Sequence, residues 1–339
     1  AASVTQPGKV LPGKVLIVQT AYLGDTVFTS ALVSSLARLW PEARFEMCVA
    51  PRGRDVALAM PDVSQVHVFE KRGKDKTARG LMRMAQLLKE RAYDLAVLPH
   101  RSLRTALLAK FAGIPRRVGF SGTVGSFFYT ERVATKARGF LEREGALALH
   151  FGARPGPMML QPQPDCLDAA RGALGPALRE PLAAICLGSE WETKIWPDSR
   201  TSQLVRTLRE RGYRPVLLGG PQERASAHAV GAAGGCIDTT GNPIGEALAI
   251  LSFCAVAVGG DTGLVHAARA LGVPTVTLFG PTASDVHQFS PRDRAVSLNL
   301  DCSPCSAHGS HRCPLGHHRC MRDLEPGLVA TACMQVMAR

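Results

Sequence analysis

Short apolar runs alternate with helical patterns along almost the whole of this 339-residue chain, and this alternation limits its fold more than any other feature. Strand-like runs such as Lys14 to Gln19 and Arg44 to Val49 are each followed by a segment with apolar residues at helical spacing. Such repetition of strand and helix predicts parallel sheets covered by helices. The expected fold class is therefore α/β, with doubly wound parallel sheets.

A stretch rich in Pro and Gly and without periodicity, from Phe151 to Pro164, interrupts the alternation. This composition is typical of a linker, and the chain length also suggests two domains. We predict a Rossmann-like N-terminal domain over residues 1–155 and a Rossmann-like C-terminal domain over residues 165–339. Two such halves are expected to face a central cleft, because open α/β sheets bind ligands at the carboxyl ends of their strands.

The net charge of +12 points to an anionic partner. Nucleic acid, phosphorylated small molecules and an anionic membrane surface all match that charge. Aromatic residues are only 6% of the chain and are not interleaved with basic stretches, which argues against a platform for single-stranded nucleic acid. No apolar run is long enough to span a membrane, and the N-terminal segment lacks the apolar core of a signal peptide. We therefore expect a cytoplasmic protein.

The segment from Gly259 to Pro281, GGDTGLVHAARALGVPTVTLFGP, is a candidate ligand site. A strand-like run ends at Gly259 and Gly260, and a helical apolar face follows Asp261 and Thr262. The first N–H groups of a helix are unpaired and lie at the positive end of its dipole, so a phosphate is a natural ligand there. Because every strand–helix unit has a glycine turn and a capped helix, a purely structural role stays equally open on this pattern alone.

The ten cysteines fall into two groups. Six lie in or near apolar segments, where free buried thiols are common: Cys48, Cys166, Cys186, Cys236, Cys254 and Cys333. The other four lie in a histidine-rich tail loop, residues 302–320: Cys302, Cys305, Cys313 and Cys320. In a cytosolic protein, a CxxC pair followed by two more cysteines favours a structural zinc or iron site, and two disulfides are the competing outcome.

Five segments, taken together, resemble the heptosyltransferases of glycosyltransferase family nine, and most closely the heptosyltransferase II members. In chain order they are AYLGDTVFTSALVSSLARLWPEARF, HRSLRTALLAKFAGIPRRVGF, GSEWETKIWP, GGDTGLVHAARALGVPTVTLFGP and CSPC…CPLGHHRCM. The resemblance implies the two-domain GT-B fold. It also implies an inverting transfer of heptose from ADP-L-glycero-D-manno-heptose to the lipopolysaccharide inner core, the second heptose being added to the first on Kdo-lipid A, with no cofactor needed for catalysis.

The same resemblance gives roles to individual residues. Asp25, next to Gly24 in the turn after the first strand, matches the catalytic base, although capping the following helix is the commoner task for such an aspartate. Lys194 matches a lysine that contacts the donor phosphates, and Asp261 matches a contact to the heptose. The resemblance also implies that Glu223 contacts the ribose of the donor. The further donor-binding residues that it implies are Gly188, Ser189, Thr193, Thr262, Gly263 and His266.

The implied acceptor carries phosphates and Kdo carboxylates, which suit a bidentate arginine clamp. We expect Arg101, Arg104 and Arg117 to form that clamp, with Gly24 beside the acceptor, whereas an ordinary solvated face is the alternative. The basic stretch from Lys71 to Lys76 is expected to be a flexible loop that meets the anionic inner membrane face.

Two other classes of function remain open. A nucleotide-dependent Rossmann enzyme is disfavoured because no GxGxxG follows a first strand. A non-catalytic protein that binds nucleic acid or lipid through charge alone would bind in a salt-sensitive manner and without a nucleotide preference. The transferase hypothesis accounts for the two halves, the phosphate-binding turn and the basic charge together, and it predicts no nucleic-acid partner.

Overall fold

The computed structural model describes residues 11–232 and 234–338, which form two compact units. The first unit comprises residues 11–22, 29–137 and 142–157. The second comprises residues 158–338 together with two short segments, Leu23–Phe28 and Arg138–Leu141. Most of the N-terminal segment that was searched for a signal peptide lies outside the described residues. None of the described helices is long and apolar enough to cross a bilayer.

The first unit contains a parallel six-stranded sheet in the order β3-β2-β1-β4-β5-β6. Its strands are β1 (Lys14–Gln19), β2 (Arg44–Val49), β3 (Val63–Val68), β4 (Leu95–Leu98), β5 (Arg116–Phe120) and β6 (Glu131–Val133). Its helices are α1 (Leu23–Leu39), α2 (Arg54–Leu58), α3 (Ala78–Glu90), α4 (Leu103–Phe111) and α5 (Phe140–His150). Helices α1 and α5 begin in the two short segments that belong to the second unit. The central strands are fully buried apolar runs, as expected for a sheet that is covered on both faces.

The second unit contains another parallel six-stranded sheet, in the order β12-β11-β10-β7-β8-β9. Its strands are β7 (Leu182–Cys186), β8 (Arg214–Leu218), β9 (Ile237–Asp238), β10 (Cys254–Gly260), β11 (Thr275–Leu278) and β12 (Asp293–Val296). Its helices are α6 (Pro164–Leu174), α7 (Asp198–Glu210), α8 (Arg224–Gly231), α9 (Ile244–Ser252), α10 (Gly263–Ala270), α11 (Arg319–Arg322) and α12 (Pro326–Met337). Helix α12 packs the apolar side chains of Val329, Cys333 and Val336 into the core.

Both sheets have the doubly wound strand order, which reverses between the first and fourth strands of each unit. In the first unit the reversal lies between β1 and β4, and in the second it lies between β7 and β10. At such a point the two loops that follow the strands leave in opposite directions and open a crevice at the carboxyl edge. The loops after β7 and β10, which hold most of the predicted donor-binding residues, therefore lie side by side.

The predicted α/β class is confirmed, and the largest differences from the expected elements are at their ends. Helix α1 begins at Leu23, so Gly24 and Asp25 lie in its first turn and not in the expected turn before it. Strands β5 and β6 were missed because each is short and begins with charged residues. The expected flexible loop from Lys71 to Lys76 is in fact folded around the fully buried Asp75, whose carboxylate accepts a hydrogen bond from the Glu70 amide (2.9 Å) and pairs with Arg83.

Candidate active site

Asp261, directly after β10, is the centre of a buried polar network in the second unit. Its Oδ2 accepts hydrogen bonds from Lys194 Nζ (2.7 Å) and Thr282 Oγ1 (2.9 Å). Its Oδ1 faces two imidazoles, at 2.9 Å from His266 Nε2 and 3.3 Å from His287 Nε2. The Lys194 ammonium also donates to the Asp261 carbonyl oxygen (3.0 Å). The carboxylate is therefore held from four directions by side chains of different segments.

The electrostatics of the network favour an ionised Asp261 beside a neutral His266. Burial opposes ionisation of Asp261, but the hydrogen bonds from His266 and His287 and the charge of Lys194 hold its pKa well below the usual range. Burial lowers the pKa of His266 to about 4, although its bond to Asp261 acts in the opposite direction. The neutral His266 must then carry its proton on Nε2, where it donates to Asp261, which leaves its Nδ1 without a proton. Neither this atom nor the His287 Nδ1 has a hydrogen-bond partner within the described residues.

These five residues form a charge-matched cluster, and three of them also have the spacing of metal ligands. The ligand atoms of Asp261, His266 and His287 lie within 4.8 Å of one another, a spacing that a cation would accept. However, the Lys194 ammonium already neutralises the carboxylate and sits on its second oxygen. Because charge and hydrogen-bonding capacity are matched without an ion, we interpret the network as a hydrogen-bonded ion pair.

Glycines allow the backbone to approach closely around Lys194 and Asp261. A Cβ on Gly260 would overlap with the carbonyl oxygen of Lys194, so the loop after β7 can pack against the end of β10 only with glycine there. Gly188, at the start of the same loop, has a φ of +71°, and a Cβ there would overlap with the carboxylate of Glu223. The structure thus brings Gly188, Lys194, Glu223 and Asp261 to one edge of the sheet.

Helix α10 begins beside this network and presents its first amides at the same edge. Thr262 is the N-cap, with extended backbone angles, and within the described part of the chain its side chain makes no capping hydrogen bond. The first turn of α1 lies against it, since a Cβ on Gly24 would be 3.7 Å from the His266 ring and 3.8 Å from the Gly263 Cα. Asp25, half-buried and adjacent to Gly24, is therefore held close to the start of α10.

An aromatic stack packs behind the two imidazoles. The His266 and His287 rings lie 4.9 Å apart at 23° to each other. Phe28 packs on His266 at 4.7 Å, and Phe140 packs on His287 at 5.7 Å. All four side chains belong to the second unit, because Phe28 and Phe140 lie in its two short additional segments. The stack fixes the ring planes and hence the direction in which each Nε2 points.

The cysteine-rich loop packs directly onto the loop that carries Lys194. Thr193, which is buried, exchanges hydrogen bonds with Ser310 through its hydroxyl (2.8 and 2.9 Å), and its carbonyl oxygen accepts from His318 Nε2 (2.7 Å). A Cβ on Gly309 would lie 3.1 Å from Lys194 Cε. The Thr193 hydroxyl and carbonyl groups therefore join the tail loop to the loop that carries Lys194. Ser189 has a local contact, its hydroxyl accepting from the Trp191 amide (3.2 Å).

The sequence model of glycosyltransferase family 9 (heptosyltransferase) matches residues 81–314, more than half of the chain. The chain belongs to glycosyltransferase family 9. Lipopolysaccharide heptosyltransferase 2 of Escherichia coli K12 is 27% identical over 300 residues, which cover 82% of this chain and 85% of that protein. Lipopolysaccharide heptosyltransferase 1 of Pseudomonas aeruginosa is equally similar, at 27% over 312 residues, 86% of each chain.

Solved structures of family 9 proteins share the fold. The E. coli ADP-heptose heptosyltransferase II superposes with a TM-score of 0.77 at 24% identity, covering 96% of this chain and 98% of that chain. The dodecameric iron-containing heptosyltransferase TibC of enterotoxigenic E. coli, in complex with ADP-D-β-D-heptose, gives a TM-score of 0.60 at 16% identity, covering 96% and 76%. The expected membership of family 9, the enzyme class and the GT-B-like fold of two parallel-sheet domains are therefore confirmed.

The arginines that were expected to form an acceptor clamp have different surroundings in the first unit. Arg104 donates to the carbonyl oxygens of Asp75 and Thr77, and Arg117 donates to those of Phe128 (2.8 Å) and Ile114. Both guanidinium groups therefore hold neighbouring segments together. Arg101 is exposed, lies 4.8 Å from the Phe120 ring centroid, and has its pKa lowered by burial and by the nearby positive charge of Arg143.

A further polar group at the carboxyl edge of the first sheet was not predicted. Thr20 Oγ1 lies 3.1 Å from His100 Nδ1, and Lys71 Nζ donates to the same hydroxyl (3.2 Å). Burial, together with the charge of Lys71, lowers the pKa of His100 to about 4. These residues follow β1, β3 and β4, so their meeting could have been inferred from the expected strand ends. Lys71 lies at this edge and not in a flexible loop.

His287 and Thr282 were also missed among the donor-side residues. Both follow β11, in a segment without periodicity. The one available signal was that a loop follows the apolar run of β11 and should leave the sheet at the same edge as Asp261.

Proposed function

We propose that this family 9 enzyme transfers heptose, with inversion, from ADP-L-glycero-D-manno-heptose to the first heptose of the lipopolysaccharide inner core on Kdo-lipid A. The observation that carries the proposal is the pair of Lys194 and Asp261 beside the first amides of α10. The names of the similar proteins support heptose as the sugar and the lipopolysaccharide core as the acceptor.

Lys194 and the amides of Thr262 and Gly263 would hold the donor diphosphate. The start of α10 supplies unpaired N–H groups and the positive end of the helix dipole. A bare carboxylate at Asp261 would repel the phosphates, but here four donors disperse its charge. We propose that the Asp261 carboxylate contacts the heptose by exchanging one of these donors for a sugar hydroxyl, while Lys194 faces the leaving diphosphate. Glu223, against Gly188 at the next loop, is suitably located for the ribose hydroxyls.

Asp25 would be the general base of the reaction. The acceptor hydroxyl oxygen attacks the anomeric carbon as the bond from that carbon to the phosphate oxygen breaks, and the electron pair leaves with ADP. Asp25 takes the hydroxyl proton. Its position in the first turn of α1, next to Gly24 and the start of α10, supports this role because the base must lie near the reacting carbon.

We assign the acceptor to the N-terminal domain, residues 1–155, and the donor to the C-terminal domain, residues 165–339. Within the first, Arg101 retains the exposure expected of an anion contact, whereas Arg104 and Arg117 would act mainly by holding the acceptor domain in shape. We further propose that the enzyme works at the cytoplasmic face of the inner membrane, where a lipid-borne acceptor and a nucleotide sugar meet.

We propose that the cysteines of the tail loop bind a structural zinc or iron ion, which requires them to draw together, since among the described residues the group with metal-ligand spacing is Asp261, His266 and His287. Backbone N–H groups, led by that of His318, lower the pKa of Cys313, and burial together with the neighbouring thiols raises the pKa of Cys305 and Cys320. A bound ion would relieve this crowding by favouring thiolates at Cys302, Cys305, Cys313 and Cys320. Its contribution would be structural, because this loop holds Thr193 and packs on Lys194.

The test is ADP release from ADP-heptose with Kdo-lipid A that carries one heptose, run beside Kdo-lipid A without heptose. Release only with the heptosylated acceptor is the expected result. Release only with the bare acceptor would assign first-heptose transfer, which the equal similarity to a heptosyltransferase 1 keeps as the second candidate. If ADP binds but neither acceptor supports release, a protein acceptor or another sugar is indicated. Salt-sensitive binding without any nucleotide preference would favour the non-catalytic alternative.

In the same assay, Asp25→Asn distinguishes a role of Asp25 as general base from a role as helix cap. An amide can still cap a helix, so the fold and the affinity for ADP should be kept. Turnover should fall by about 100-fold or more, the usual contribution of a general base. A variant that turns over normally would remove Asp25 from the catalytic step.

A further inference from the structure

One face of the first unit exposes four large apolar side chains in two adjoining segments. Leu103 and Phe111, on α4, are each 42% exposed. Val124 and Phe127, on the single-turn 3₁₀ helix Val124–Phe128, are 68% and 78% exposed. We refer to these four side chains as the α4 patch. Isolated exposed apolar residues need no explanation, but a group of them marks an interaction surface.

The two segments are in direct contact. A Cβ on Gly125 would lie 3.1 Å from the Ala106 Cβ and 3.4 Å from the Leu103 Cα, so the short helix rests on the start of α4. Further along α4, Lys110 Nζ lies 4.8 Å from the Phe128 ring centroid. Because residues four and eight apart share a face of a helix, Leu103 and Phe111 project on the same side as the partly buried Leu107.

The surroundings of the patch are strongly basic. Residues 101–132 contain six Lys or Arg residues and one acidic residue. Lys110 and Arg132 are exposed at its border, and Arg132 lies 6.0 Å from the Phe127 ring centroid. Exposed aromatic and aliphatic side chains bordered by two cations match the boundary between headgroups and acyl chains of an anionic bilayer.

The charge and the size of the patch argue against a protein occupant. A second copy would bring the same positive charges together, and four side chains are far fewer than the roughly 20–30 residues per side of a stable interface. The stretch from Lys71 to Lys76, expected at first to meet the membrane, is folded around Asp75, and Lys71 bonds to Thr20.

We propose that the α4 patch inserts into the headgroup region of an anionic membrane, with Phe127 as the deepest side chain and Lys110 and Arg132 against the lipid phosphates. The inference rests on the proposed function in one respect, because an acceptor carried by lipid requires the enzyme to work at a membrane surface. Docking by one short helix and one turn of 3₁₀ helix is reversible and does not require a membrane-spanning segment.

Cosedimentation of the full chain with vesicles of phosphatidylethanolamine and phosphatidylglycerol tests the proposal. The wild type should bind these vesicles and release with salt, and it should not bind vesicles of phosphatidylcholine alone. Phe127→Ser should lower the partition coefficient about tenfold, since burial of a phenylalanine side chain is worth on the order of 1.5–3 kcal/mol. Lys110→Gln should lower it about fivefold, at about 1 kcal/mol per cation near the surface.

Leu149→Ser is the matched control, because Leu149 is an exposed apolar residue (61%) on α5, another helix of the same unit. It should bind vesicles like the wild type. Equal losses for Leu149→Ser and Phe127→Ser, unchanged binding by Phe127→Ser, or no binding by the wild type would each overturn the proposal. A change in oligomeric state with Phe127→Ser would overturn it too and would identify an interface between copies.

A deacylated, water-soluble acceptor separates this inference from the proposed function. Phe127→Ser should release ADP with that acceptor at the wild-type rate and lose activity only on acceptor embedded in vesicles. If Phe127→Ser and the wild type are equally active on the embedded acceptor, the membrane proposal fails and heptosyl transfer stands. If the wild type is inactive on both acceptors but binds vesicles through Phe127, the acceptor assignment fails and the membrane surface stands.

Discussion

Two buried carboxylates, Glu46 in the first unit and Asp261 in the second, have closely matched sets of donors. Glu46 accepts from Tyr93 Oη (2.6 Å), Arg91 (2.7 Å) and His67 Nε2 (2.9 Å), with Lys14 Nζ at 3.3 Å. Asp261 likewise has a lysine, a hydroxyl and a histidine, with a second histidine in place of the arginine. Both carboxyl groups have depressed pKa values, because in each case these partners outweigh the effect of burial.

The positions of the two carboxylates differ. Glu46 is the third residue of β2, level with Leu16 of β1 and Gln65 of β3 in the middle of the sheet. Asp261 follows the last residue of β10 and precedes the N-cap of α10. The first network therefore holds strands together, while the second lies where unpaired helix amides and glycines leave room for a ligand. A carboxylate with a perturbed pKa and good partners does not identify a site by itself. Asp261 is the candidate because it lies at the carboxyl edge of its sheet.

Asp261→Asn is expected to have the largest effect. The amide keeps the shape of the side chain but leaves the Lys194 ammonium buried without a counter-charge, and breaking a buried pair costs about 3–5 kcal/mol. We expect kcat/KM for ADP release to fall about a thousandfold. Glu46→Gln is the matched control and should stay within about threefold of the wild type, as exposed or remote substitutions do. Similar losses in the two variants would show that Asp261 has only a structural role.

Glu46→Gln should instead reduce stability. Loss of the buried charge leaves Lys14 and Arg91 without their ionic partner, although Lys14 keeps its bond to the Arg91 carbonyl oxygen and Arg91 its bond to Gln65. The expected decrease in the free energy of unfolding of the first unit is about 3 kcal/mol. Hydrogen exchange in β1 and β2, measured under native conditions, reports this decrease locally. Unchanged protection of these strands would contradict the structural role of the Glu46 network, and protection lost equally in β10 would mean that the two units do not unfold separately.

The sequence was sufficient for several of the strands but not for these networks. The apolar runs KVLIVQ, RFEMCV and RPVLL give β1, β2 and β8 with their observed ends. Within RFEMCV, the strand pattern cannot reveal that Glu46 is fully buried, because its partners come from β1, β3 and the end of α3. Lys194 and Asp261 were both recognised, yet their pairing joins residues 67 positions apart and depends on β7 and β10 being neighbours. Strand order, rather than local pattern, brings them together.

The arginines show a second limit of the sequence. Composition and resemblance suggested a shared role for Arg101, Arg104 and Arg117, but two of these side chains satisfy backbone carbonyl groups of nearby loops. A guanidinium group has five donors, and unpaired carbonyl groups at loop corners are among its commonest partners. No sequence pattern separates that use from ligand binding, since both place an arginine after a strand or on a helix face.

The two networks should lose stability in different pH ranges. The pKa of His266 is about 4 when folded and 6.5 in its ordinary range, so the unfolded state binds more protons between these values. Protection of α10 should therefore be complete above pH 6.5 and decrease as the pH falls toward 4. The pKa of Glu46 is lowered from 4.5 to about 2, so protection of β2 should decrease only below pH 4.5. We expect a change of about 3 kcal/mol in each range, measured by hydrogen exchange corrected for its intrinsic pH dependence.

His287→Phe is expected to have the smallest effect and defines how much the second histidine adds to the Asp261 network. A phenylalanine keeps the stack on His266 and Phe140 but removes the longest of the four hydrogen bonds, 3.3 Å from Nε2 to Oδ1. Since a hydrogen bond to a charged group is worth about 1.5–3 kcal/mol at good geometry, this longer one should be worth about tenfold in kcat/KM. The loss should appear with ADP-heptose and not in the affinity for ADP, because we propose that the donor's sugar, and not its diphosphate, contacts Asp261. A variant with weaker ADP binding and normal turnover would instead link His287 to Lys194 and the phosphates.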